Sequence, residues 1–132
     1  MGGESASRKG CCRLLQGTGL KKYDTYRDTS PEQALQWLAS GDSGLTERAL
    51  IHFAYHDPDV AWVESRVLEL VPNWDDEKVS YGLHALFLLG RVRAFRLSEA
   101  TFRLAFGLLD HSAESVRENA SWLFEQCVMQ SR

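Results

Sequence analysis

Proline is scarce in this chain and cysteine equally so, with three residues of each among 132. Cys11, Cys12 and Cys127 make neither an even disulfide framework nor a metal-ligand spacing, so reduced thiols are expected. Long hydrophobic runs are missing as well. No stretch approaches the roughly 18 apolar residues that a spanning helix requires, and the start MGGESASRKGCC has no apolar segment of the secretory type. The myristoylation pattern asks for Ser or Thr where this chain has Ala6, which argues against a lipid anchor. The expected compartment is the cytoplasm, with no membrane contact.

Chemistry is also thinly provided. The chain has no glycine-rich phosphate cradle and no serine in a Gly-x-Ser-x-Gly turn. His52 and His56 stand four apart, a spacing at which two imidazoles can share a metal. The residues between them are Phe53, Ala54 and Tyr55, so the glutamate of a metalloprotease motif is missing and no third ligand is set by spacing. Both histidines are read as structural, His56 favouring the carbonyl end of its helix. His84 and His111 stand alone and are read the same way, and Cys127, between Phe124 and Val128, reads as a buried, inert thiol. No catalytic residue, metal site or cofactor is expected, and the chain reads as a non-enzyme.

What is present is an ordinary globular composition, 44% hydrophobic and 25% charged, with an uneven distribution of charge. Residues 1–28 carry six Lys or Arg against three Asp or Glu, whereas residues 29–132 carry nine against fifteen. The first segment, rich in Gly and Ser, reads as a basic, weakly structured leader. Residues 29–132 read as one acidic folded domain. An acidic body suits a basic protein partner and disfavours nucleic acid, which is gripped by clustered Lys and Arg.

Helix punctuation is regular from Thr29 onward. Ser30, Pro31 and Gln33 make a capping arrangement that opens a helix to Ser40, and Gly41 is placed to close it in the left-handed conformation. A second helix is expected over 45–56, and Asp57-Pro58 should cap and start a third that runs to Val71. Pro72-Asn73 breaks it, and further helices follow over 76–90, 99–109 and 113–129. No alternating segment reads as a strand.

Internal similarity groups the six helices in pairs. Leu45, Ala49 and Phe53 correspond to Val79, Leu83 and Phe87, and again to Val116, Ala120 and Phe124, at offsets of 34 and 37 residues. In the first members Leu35 and Leu38 correspond to Leu68 and Val71, and to Phe106 and Leu109. Such seams are buried by stacking helix pairs side by side, and the three phenylalanines are expected inside a shared seam. Tetratricopeptide repeats need a small residue at the helix crossing. The chain has Trp37, Val71 and Leu108 there, which rejects that family.

The stretch from Leu108-Leu109-Asp110-His111 through Val116-Arg117-Glu118-Asn119-Ala120 resembles the junction of a HEAT repeat, an aspartate turn followed by Val-Arg and a small residue. Asp57-Pro58-Asp59-Val60-Ala61-Trp62-Val63 is similar to a stretch of small bacterial HEAT-like proteins. The resemblance covers about residues 31–129. It departs at Val79, followed by Ser80 instead of Arg, and at Leu45, followed by Thr46. It implies an all-α fold, a right-handed stack of about three HEAT-like antiparallel helix pairs. It also implies a protein-binding function, for some such proteins the neutralisation of a secreted toxin as its immunity partner.

Two surface features are candidates for that binding. Between Asp57 and Glu77 there are seven acidic residues and a single base, Arg66, and Trp74 stands beside Asp75, Asp76 and Glu77. An aromatic ringed by acids suits an anchor for a basic partner. The alternative is that Trp74 covers the seam between helix pairs while the acids favour a helix start. In a HEAT-like stack the second helices line the concave side, which adds Thr46 with Glu47, Ser80 with Tyr81, and Arg117 with Glu118 to one acidic strip. The second feature is Arg91, Arg93, Arg96 and Arg103. They could hold phosphates, giving the alternative reading of a nucleic-acid-associated protein, or could compensate helix C-termini and pair with Glu99.

Overall fold

The computed structural model describes residues 30–131. The basic leader expected over residues 1–28 lies outside them. Among the described residues the regular structure is all helical: α1 (Pro31–Leu38), α2 (Ser43–His56), α3 (Val60–Leu70), a 3₁₀ turn (Val71–Asn73), α4 (Asp76–Arg91), α5 (Glu99–Gly107) and α6 (Glu114–Gln130). None of these helices is long and apolar enough to cross a membrane.

Local chemistry sets the boundaries. The Ser30 hydroxyl accepts from the Gln33 amide at 3.0 Å with Pro31 in the first turn, and Gly41 takes the left-handed conformation at φ 86°. Asp42 accepts from the Leu45 amide at 3.1 Å, so α2 begins two residues before the expected start. Between α2 and α3 the cap is Asp59, whose side chain accepts from the Trp62 amide at 3.0 Å. Asp57, expected to be that cap, instead accepts from the Asp59 amide at 2.8 Å, in a turn that brings Asp59 into place. Asp75 caps α4 through the Lys78 amide, and Ser98 caps α5 through the Thr101 amide.

The chain divides within α2 into two compact units, Met1–His52 and Phe53–Arg132. In the first, Ala34 and Leu38 of α1 are buried together with Thr46, Ala49, Leu50 and His52 of α2. Thr46 is fully buried and its hydroxyl oxygen has no hydrogen-bond partner. In the second unit α4 forms its most extensive interface with α6; α5 packs on α6, and α3 packs on α4 and, more lightly, on α5. Leu83, Leu86 and Leu89 of α4 are sealed from solvent, each removing about 1.5–3 kcal/mol of apolar exposure. Gly90 lets α4 approach closely: a Cβ there would lie 2.9 Å from Leu97 Cδ1 and 3.0 Å from Gln126 Cγ.

Burial corrects the expected seam. Phe53 is buried, but Phe87 and Phe124 are only half-buried, and the sealed positions beside them are Leu86 and Leu123. At about 100° per residue, a position eight on from Val79 or Val116 is rotated about 80° off the buried stripe, whereas one seven on stays within about 20° of it. In α2 the buried position is likewise Thr46 and not Leu45. The first members shift too. Leu35 is exposed and Phe106 is 62% exposed, while the buried series is Ala34, Val67, Thr101 and then Leu38, Val71, Ala105.

Candidate functional site

Seven of the eight residues expected at the binding surface fall in the second unit, around the N-terminal turns of α4 and α6. These turns lie side by side, since the buried Ser80 hydroxyl meets that of Ser115 at 2.9 Å while also donating to the Asp76 carbonyl. The loop from α5 to α6 closes over the same edge. His111 Nε2 lies 3.6 Å from Asp76 Oδ1, and His111 Nδ1 accepts from the Ala113 amide. Arg117 donates to the His111 and Ser112 carbonyls at 2.9 and 3.1 Å, so its charge fastens that loop. Asp75, Asp76, Glu77 and Glu118 are exposed, and Tyr81 is half-buried with its hydroxyl on Glu77 at 3.0 Å.

Trp74 is half-buried and its ring occupies the space beside a helical glycine: a Cβ on Gly82 would lie 3.0 Å from Trp74 Cζ3 and 3.2 Å from Val71 Cγ2. The ring covers the junction of α3, its 3₁₀ extension and α4, while the neighbouring acids occupy the cap and first turn of α4. Thr46 and Ser80, expected to face a ligand, are buried instead, because the buried stripes of their helices pass through them. Glu47 is half-buried on α2 within the first unit.

The four arginines are dispersed over several tasks. Arg93 donates to the Ala54 and Asp57 carbonyls at 3.1 and 2.9 Å, holding the end of α2, and Arg96 donates to the Gln130 carbonyl at 3.1 Å, holding the end of α6. Arg103 pairs with Glu99 one turn away on an exposed face, and Arg91 is exposed at the end of α4. Helix-end compensation and the Glu99 pair were readable from spacing. That Arg93 and Arg96 would serve α2 and α6, more than thirty residues distant in each case, was not.

One buried carboxylate and one cavity had no sequence signal. Glu64 is 6% exposed and accepts from the Ser98 amide at 2.7 Å and the Thr101 hydroxyl at 2.6 Å, joining α3 to the start of α5. Beside it an open cavity of about 360 Å³ is bounded by Arg96, Leu97, Ser98, Glu99 and Phe102 on one side and by Cys127, Gln130 and Ser131 on the other. Burial, helped by the Glu64 charge, pushes the Cys127 thiol from 9.0 to about 11. A thiol held protonated at neutral pH is a poor nucleophile. No group of three or more His, Cys, Asp or Glu among the described residues could hold a metal ion.

Comparison of the chain with protein-family models, curated proteins and solved structures finds no match.

Proposed function

We propose that the chain is a non-enzymatic protein-binding module of HEAT-like type, built as a right-handed stack of helix pairs. In its most specific form it is an immunity protein that neutralises a toxin by direct binding. The observation that carries the binding reading is the acidic edge of the second unit. Two adjacent helix starts present Asp75, Asp76, Glu77, Glu114 and Glu118 to solvent, and the nearby Arg117 is engaged by two carbonyls. Such an edge steers and selects a basic protein surface. The repeat reading is supported by burial that recurs from Ala34 to Val67 to Thr101 and from Val79 to Val116, and by the extensive packing of α4 on α6. Arg93 and Arg96 are committed to helix ends and Arg103 to Glu99, which disperses the positive charge that a nucleic-acid interface would concentrate.

The test is capture of bound proteins by the tagged chain in its native host, repeated with Glu77→Lys combined with Glu118→Lys. Both side chains are exposed, so the variant should keep its helical signal, with a melting temperature only slightly lowered by loss of the Tyr81–Glu77 hydrogen bond and of an acid in the first turn of α4. A basic protein should be captured by the parent chain and lost by the variant. For the immunity form, that protein should arrest growth when expressed alone, and co-expression of this chain should restore growth. Capture that survives the charge reversal would refute the acidic edge as the site.

A further inference from the structure

We draw no further inference here: the strongest candidate, the cavity between the start of α5 and the end of α6 beside Cys127 with the aromatic face of Phe102, Phe106 and Phe124 that continues it, is lined by both Arg96 and Glu99, so its charge selects no class of ligand, and nothing in the structure shows what covers it.

Discussion

At the residue scale, Cys127 shows how environment replaces identity as the source of chemistry. Its position between Phe124 and Val128 read as buried, and it is 8% exposed, but the Glu64 carboxylate that adds to its shift comes from sixty-three residues earlier in the chain. The thiol ionises near 9.0 when unfolded and at about 11 when folded, so between those values the folded state holds the proton more tightly. Stability from this group is complete below about pH 9 and is lost as pH rises through 11. Urea midpoints should therefore fall more steeply over that window in the parent than in Cys127→Ala, and equal slopes would contradict the assignment. Trp74 teaches a related lesson. Its acidic neighbours pointed toward an interface, but Gly82, eight residues later, leaves a gap that the ring fills.

At the element scale the helices were legible because helix ends are local events. Ser30, Asp75 and Ser98 each accept from an amide three residues on, which sequence spacing can reveal. The face each helix buries was less legible, since apolar residues outnumber the positions that a neighbour can cover. Leu86 and Phe87 are adjacent and both apolar, but only Leu86 faces the interior, with no solvent exposure. Leu86→Ala should cost about 3–5 kcal/mol, and Phe87→Ala, at a half-buried flank, no more than about half of that. Chemical denaturation of the two variants checks the order, and a larger loss at Phe87 would restore the phenylalanine seam. Helix ends held from a distance were not legible at all: the Arg93 contacts to the Ala54 and Asp57 carbonyls span most of two helices and the links between them.

At the scale of the whole molecule, charge is the property that sequence delivers most directly. With fifteen acids against nine bases over residues 29–132, the association rate with a basic protein partner should fall as salt is raised, while the dissociation rate changes little. Stopped-flow mixing at several ionic strengths checks this, and a salt-independent association rate would rule out electrostatic steering. The sequence alone determined the all-helical class, the bounds of most helices and the acidic balance, because these follow from composition and from contacts within one helical turn. Only the tertiary structure decided that Thr101 and Ala105 face inward while Phe102 and Phe106 face solvent, that Glu64 ties α3 to the start of α5, and that Ser80 joins Ser115. The physical reason is that burial and long-range hydrogen bonding belong to pairs of surfaces. A helix's own pattern states which faces it can offer, and the shape and polarity of its neighbour select the one that is covered.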